Sequence, residues 1–302
     1  MVDRLQVVLA QLSPRLGDFE WNLDKHHEWI REARARGAQL IIFPELGLTG
    51  YQVQDMTLDI ARPLVHPQIQ SLIEASREID IVFSFVEETS HHLFHVSAVY
   101  ASEGKVRAVH RKVYLPTYGM FDERRYFAPG TRFQTFSGTP AGSAGMLLCE
   151  DAWHVTSPYL LALGGANFMI VTASSPARDV TDAHYFGSQR FWRELLRVYA
   201  QTYGCPIAFV NRVGVEDGIS FFGGSGAVSP EGDWLFTAPT VEEGMFSIQL
   251  DLRSVRRARF STPILRDERP LLVQRELERI LRQREETQCD WAPNSQPEGE
   301  RT

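Results

Sequence analysis

Three short strand-like runs in this sequence each stop on a chemically active side chain. Leu40-Ile41-Ile42-Phe43 leads into Pro44-Glu45, Val106 to Arg111 leads into Lys112, and Gly145-Met-Leu-Leu148 leads into Cys149-Glu150-Asp151. Buried runs this short, bounded by turn formers and β-branched residues, read as strands rather than helices. Buried strands that alternate with amphipathic helical segments fold as an α/β domain, and such domains place their chemistry just past the carboxyl ends of their strands. Each side chain alone has an ordinary explanation. A lone cysteine is commonly core, a lone glutamate after a strand commonly caps a helix, and a strand-end lysine is commonly solvated.

The rest of the chain supports the same class. Leu5 to Leu12 reads as a strand, and Asp18 with Glu20 suits the start of a helix that Gly37 ends. Pro67 to Glu78 reads as a helix and Ile79 to Val86 as a strand. Val96 to Ala101 and Val106 to Arg111 form a strand pair across the turn Ser102-Glu-Gly-Lys105. After Cys149, helices are expected over Ser157 to Leu163 and Asp182 to Tyr203. In the second, Trp192, Leu195, Leu196, Tyr199 and Tyr203 share one face. Strands are expected at Phe168 to Thr172, Pro206 to Asn211, Ala227 to Ser229 and Met245 to Asp251. Only a charged helix (Pro270 to Arg284) and a polar tail then follow. One domain over residues 1–287 and a loose tail over 288–302 are expected, since no repeat and no Pro/Ser-rich linker divides the body.

A net charge of -7 argues against nucleic acid or an anionic membrane surface as partner. No apolar run reaches the ~18 residues of a membrane helix, and the first residues lack a signal-peptide layout. Three scattered cysteines (Cys149, Cys205, Cys289) make a disulfide framework improbable, so a reducing cytoplasm is expected. His91, His92 and His95 have no acid or cysteine at ligand spacing, so no metal is expected.

Taken together, Glu45, Lys112 and Cys149 can converge on one crevice. Cys149 supplies a nucleophile, and Glu45 can take its proton and pass it to a leaving amine. Lys112, as ammonium, raises thiolate content and stabilises a tetrahedral oxyanion, with the Glu150 backbone N–H as a second donor. That set is what amide hydrolysis requires.

Phe43-Pro-Glu45-Leu-Gly-Leu-Thr-Gly-Tyr51, His110-Arg-Lys112-Val-Tyr-Leu-Pro116 and Leu147-Leu-Cys149-Glu-Asp-Ala-Trp153 resemble, in order, the three motifs of the nitrilase (carbon–nitrogen hydrolase) superfamily. The resemblance implies a four-layer α-β-β-α sandwich, a Glu-Lys-Cys triad, no cofactor, and a homodimer or larger homo-oligomer. It gives Glu123, in Glu-Arg-Arg-Tyr-Phe-Ala-Pro-Gly130, the role of a second glutamate that braces the lysine and substrate. Taken by itself, Glu123 could equally be a surface partner of Arg124 or Arg125. Within the superfamily the sequence is most similar to the glutaminase domain of glutamine-dependent NAD synthetases. The stretches Tyr118 to Phe127, Cys149 to Trp153, Ala173 to Pro176, Asn211 to Gly214 and Phe222 to Ser225 carry this likeness. It implies that Tyr118, Glu150, Trp153 and Ser175 line a substrate pocket. No Ser-Gly-Gly-x-Asp-Ser pyrophosphate loop appears, so this sequence alone is not expected to make NAD. The expectation is an amidase for a small linear amide. The alternatives are a glutaminase subunit serving a separate synthetase partner, or an inactive binding homologue.

Overall fold

The computed structural model describes residues 2–178 and 186–289. Its strands are β1 (Arg4–Gln11), β2 (Leu40–Ile42), β3 (Asp80–Glu88), β4 (Phe94–Ser102), β5 (Lys105–Arg111), β6 (Thr135–Thr139), β7 (Gly142–Leu148), β8 (Phe168–Ala173) and β9 (Ile207–Asn211). They are followed by the hairpin β10 (Val213–Glu216) and β11 (Ile219–Phe222), then β12 (Gly226–Val228), β13 (Trp234–Thr237) and β14 (Gly244–Asp251). The main helices of residues 2–265 are α1 (Phe19–Ala35), α2 (Pro67–Ala75), α3 (Thr156–Leu163), α4 (Gly187–Tyr203) and α5 (Arg253–Ser261).

Two six-stranded mixed sheets form the centre, ordered β14-β1-β2-β3-β4-β5 and β13-β12-β9-β8-β7-β6. The period-2 alternation of strand side chains explains how they stack. In β2, Leu40 and Ile42 point into the core between the sheets, where Val7, Leu9 and Val82 of one sheet meet Met146, Leu148, Ile170 and Val210 of the other. Ile41 and Phe43 point outward, onto Leu23, Trp29 and Ile30 of α1 and Ile69 and Leu72 of α2. On the far side Leu147, Val171 and Phe209 meet Leu161 of α3 and Trp192, Leu196 and Tyr199 of α4. The layers are therefore α-β-β-α, as expected. Runs such as Leu-Ile-Ile-Phe are apolar at every position because both faces of each central strand are covered.

Local chemistry sets the helix ends. The Asp18 carboxylate accepts from the Trp21 N–H at the start of α1. Gly204, at φ 54°, ends α4 in the left-handed conformation that glycine adopts without penalty.

Several elements differ from the sequence expectation. Helix α5 lies between Asp251 and the terminal helix, where no helix was expected. It is rich in arginine and buries only Ser254, Val255 and Ala258, so its apolar face is too narrow to show as a period. Strand β6 and the hairpin β10–β11 also went unforeseen, being short and partly exposed. The first residues of the helix expected over Asp182 to Tyr203 lie outside the described residues, as does most of the tail expected over 288–302. The described helix starts at Gly187.

Residues up to Leu265 form one compact unit, and residues from Arg266 onward a second, whose main described element is the helix Pro270–Cys289. Among the described residues no helix is long and apolar enough to cross a membrane.

Gly130 shows how closely the chain beyond β5 is held. Its N–H donates to the Lys112 carbonyl at 2.7 Å, and a Cβ there would stand 2.1 Å from the Arg111 carbonyl oxygen. Backbone cannot yield as a side chain does. Gly130→Ala is therefore expected to cost about 1–3 kcal/mol, the range for overpacking, and to displace Lys112. Urea unfolding and turnover, measured together, check both effects; a variant with unchanged midpoint and rate refutes this reading.

Candidate active site

Glu45 sits in the turn after β2 and is fully buried. Its Oε1 accepts from Lys112 Nζ at 2.8 Å, and its Oε2 accepts from the Ser174 N–H at 2.8 Å. The Ser174 hydroxyl also donates to the Glu45 backbone carbonyl, so the loop after β8 holds this residue by both side chain and backbone. Lys112 follows β5 and donates its N–H to the Val96 carbonyl. Its Nζ also donates to Glu123 Oε1 at 2.6 Å. The lysine side chain is 0% exposed, and both carboxylates are buried with it. Burial works against the ammonium, but Glu123 and Glu45 outweigh it and hold the Lys112 pKa well above its ordinary value.

Cys149 caps β7, within electrostatic reach of Glu45, Lys112, Glu123 and Glu150. Its φ is 45°, and Leu46, next to Glu45, has φ 50°. For a residue with a Cβ this conformation costs on the order of 1–3 kcal/mol, which the surrounding bonds must hold. A short 3₁₀ turn over Cys149–Trp153 follows, rather than a full helix. Burial pushes the thiol well above its ordinary pKa, Glu45 adds to this, and Lys112 opposes it without prevailing. The direction of these influences favours the neutral thiol over the thiolate.

Asp151 pins the lysine and cysteine loops together. Fully buried, it accepts from the N–H groups of Leu148, Val113 and Tyr114 and bonds to His110 Nε2 at 2.7 Å. It serves the interior and not the cavity wall. Its neighbour Glu150 faces the other way and accepts from the Tyr118 hydroxyl at 2.8 Å.

A cavity of about 590 Å3 opens over Cys149, with Tyr118, Glu150, Trp153 and Ser175 all in its wall. The four pocket residues named from the sequence are thus brought together. Ser175 Oγ accepts from Trp192 Nε1 at 2.9 Å, and Trp153 stacks on Phe191 with ring centroids 4.2 Å apart. The sequence did not point to Phe121, Phe191 or Arg178, which also line the wall. Arg178 lies over the Phe121 ring at 4.4 Å, which places a guanidinium in the same cavity as Glu150. Ser174 was also missed; the Ala173-Ser-Ser-Pro176 stretch drew notice, but nothing in it separates the serine that holds Glu45 from the one that lines the pocket. Among the described residues no group of three or more His, Cys, Asp or Glu is disposed to hold a metal ion.

Residues 6–260 match the family model for carbon–nitrogen hydrolases. The chain belongs to the carbon–nitrogen hydrolase family. It is 34% identical over 256 residues to a glutamine-dependent NAD(+) synthetase of Thermotoga maritima, a match covering 82% of this chain and 42% of the synthetase. The chain thus spans less than half of the synthetases it resembles. It is 28% identical to an N-carbamoylputrescine amidase of Solanum tuberosum, over 89% of this chain and 93% of that protein. The amidase of Nesterenkonia sp. AN1 shares the fold with a TM-score of 0.75 and 25% identity, over 90% of this chain and 96% of that one. In that structure, of a mutant, the acetamide moiety of fluoroacetamide is covalently added at the active-site cysteine.

Asp151→Ala would leave three backbone N–H groups without their acceptor. At about 1 kcal/mol or more for each, the expected loss is at least about 3 kcal/mol, with turnover falling because the two loops separate. Denaturant unfolding followed by tryptophan fluorescence measures the loss; a cost below about 1 kcal/mol would show that Asp151 does not hold the loops.

Proposed function

We propose that the chain is a cofactor-free amidase that hydrolyses a small linear amide to acid and ammonia through a thioester on Cys149. The observation that carries this reading is the buried Lys112 ammonium, held between Glu45 and Glu123 beside a nucleophile at the tip of β7.

As sulfur attacks the amide carbon, Glu45 takes the thiol proton, and the carbonyl π electrons move onto oxygen. Lys112 Nζ stabilises that oxyanion, with the Glu150 N–H as the second donor. The intermediate collapses, the C–N bond breaks, and Glu45 returns the proton to the leaving nitrogen, which departs as ammonia. Water then attacks the thioester carbon, giving its proton to Glu45. The C–S bond breaks, the acid leaves and the thiolate recovers the proton. Glu123 braces Lys112 throughout.

A second reading is supported by Glu150 and Arg178 in one pocket. A carboxylate and a guanidinium on the same wall suit a zwitterion, the first for an α-amino group and the second for an α-carboxylate. Glutamine is such an amide, and relatives named as glutamine-dependent synthetases fit the idea. On this reading the chain is a glutaminase that supplies ammonia to a synthetase partner.

Ammonia release from a panel of amides and nitriles, glutamine included, tests both readings. Cys149→Ala is expected to abolish release while the fold survives, and mass spectrometry during turnover is expected to find an acyl adduct on Cys149 alone. Near-normal turnover in that variant would sink the amidase mechanism. Glu45→Gln and Lys112→Ala are each expected to lose at least ~100-fold in kcat. If glutamine is the substrate, Glu150→Gln and Arg178→Ala should each raise its KM at least about tenfold while leaving plain aliphatic amides unaffected, since a charged hydrogen bond is worth about 1.5–3 kcal/mol. An unchanged ranking of substrates removes the glutaminase reading and leaves the amidase standing.

A further inference from the structure

A second cavity, of about 790 Å3, opens at the edge of the sandwich and shares no lining residue with the cavity over Cys149. Strand β5 ends one sheet and β6 the other. Residues 107–111 of β5 form part of the wall, together with residues 134–136, where β6 begins. The chain over 128–132 and the turn between β3 and β4 also line it. This wall is pinned in several places. The Ala128 N–H donates to the Phe94 carbonyl at 2.8 Å, and the Gly130 N–H to the Lys112 carbonyl. His95 Nδ1 donates to the Ala128 carbonyl at 2.7 Å, and the Thr135 hydroxyl to the Gly164 carbonyl at 2.9 Å. A site held in this way loses little freedom when a ligand arrives.

The charge of this wall is opposite to that of the chain. Arg107, Arg111 and Arg132 line it, and among its described residues there is no Asp or Glu, in a chain of net charge -7. Arg111 turns Nε and Nη2 to Glu87, at 2.8 and 2.7 Å, and Arg107 gives Nη2 to Glu103. Neither acid lines the cavity. A guanidinium carries five N–H groups in a fixed fork, so both arginines keep donors to spare. Arg132 is exposed and makes no ion pair or hydrogen bond among the described residues. His95 and His110 are engaged with the Ala128 carbonyl and with Asp151, so the arginines carry the charge. The apolar part of the wall comes from Met146, buried between the sheets, and from Phe136 and Ala108, packed against the same core.

We propose that this cavity is a second ligand site, for a small organic phosphate with an aromatic or aliphatic body. The planar fork of arginine meets a phosphate with two parallel hydrogen bonds, which a lysine cannot do. The space exceeds the needs of a bare ion, since cavities of roughly 300–1,000 Å3 take whole small molecules. The apolar side, with Met146 and Phe136, suits the body of such a ligand, and the arginines suit its phosphate. A polyanion such as nucleic acid fits less well, because it would run past the cavity over a chain whose net charge is negative. The inference does not rest on amide hydrolysis. The site can be present in a chain that turns over no amide, and absent from one that does.

Calorimetric titration of the whole protein with phenyl phosphate tests it. One site per chain is expected, with affinity falling as salt is raised. Benzyl alcohol keeps the ring and lacks the phosphate, and inorganic phosphate lacks the ring; each is expected to bind at least about tenfold more weakly. Arg132→Gln and Arg107→Gln are each expected to weaken phenyl phosphate at least about fivefold. Arg178→Gln, in the cavity over Cys149, is expected to leave its binding unchanged. The absence of saturable binding overturns the proposal. So does binding that is lost in Arg178→Gln and kept in both other variants, which moves the ligand to the substrate cavity. Inorganic phosphate that binds as tightly as phenyl phosphate shows an adventitious ion only, and benzyl alcohol that does so removes the role of the arginines; either result overturns the proposal as well. Circular dichroism melts verify the fold of each variant, and if Arg107→Gln does not fold, Arg132→Gln decides.

Discussion

A charged lysine removed from water is the constraint on which this structure depends. Taking an ammonium into the interior costs several kcal/mol, and taking carboxylates in beside it costs more, unless each charge is met at close range. Lys112 meets Glu45 and Glu123 at 2.8 and 2.6 Å, and the other carboxylate oxygen of Glu45 accepts from the Ser174 N–H. The pieces come from far apart in the sequence, so the sheets must stack in one register for the charges to find each other. A shift of any one contributing loop would strand a charge, which costs about 3–5 kcal/mol in a buried pair. The site and the fold are therefore stabilised by the same contacts.

Holding that arrangement requires loops with little freedom. Cys149 and Leu46 adopt positive φ without being glycine, and each strained residue lies beside a loop pinned by buried side chains. Asp151 does this for the cysteine and lysine loops, and Ser174 for the glutamate. On the far side of Glu123 the Arg212–Glu216 pair holds Tyr51. None of these groups needs to touch a substrate.

The strands and the reactive side chains were legible in the sequence because they obey local rules. Leu40 to Phe43 is apolar at every position, and the change at Pro44-Glu45 is abrupt. The face of α4 was legible from the spacing of Trp192, Leu196 and Tyr199. The elements that went unseen rely on neighbours rather than on their own pattern. Helix α5 has almost no apolar face, and the β10–β11 hairpin is placed by Glu216, whose partners Tyr51 and Gln52 are over 160 residues away. The pocket was legible only as far as motif likeness reached. Arg178 and Phe191 belong to it because of tertiary placement, and no spacing announces that. The influence of Lys112 on Cys149 was legible from the motifs, but the depth of burial, which is the larger influence, is not displayed by the sequence.

That balance reaches beyond catalysis. Peroxides and most electrophiles attack thiolates far faster than thiols. A sulfur pushed toward its protonated form, 8% exposed and beside acids that disfavour added negative charge, offers such reagents little. A thiol kept toward its neutral form in this way gives such reagents less to attack than an exposed thiolate would.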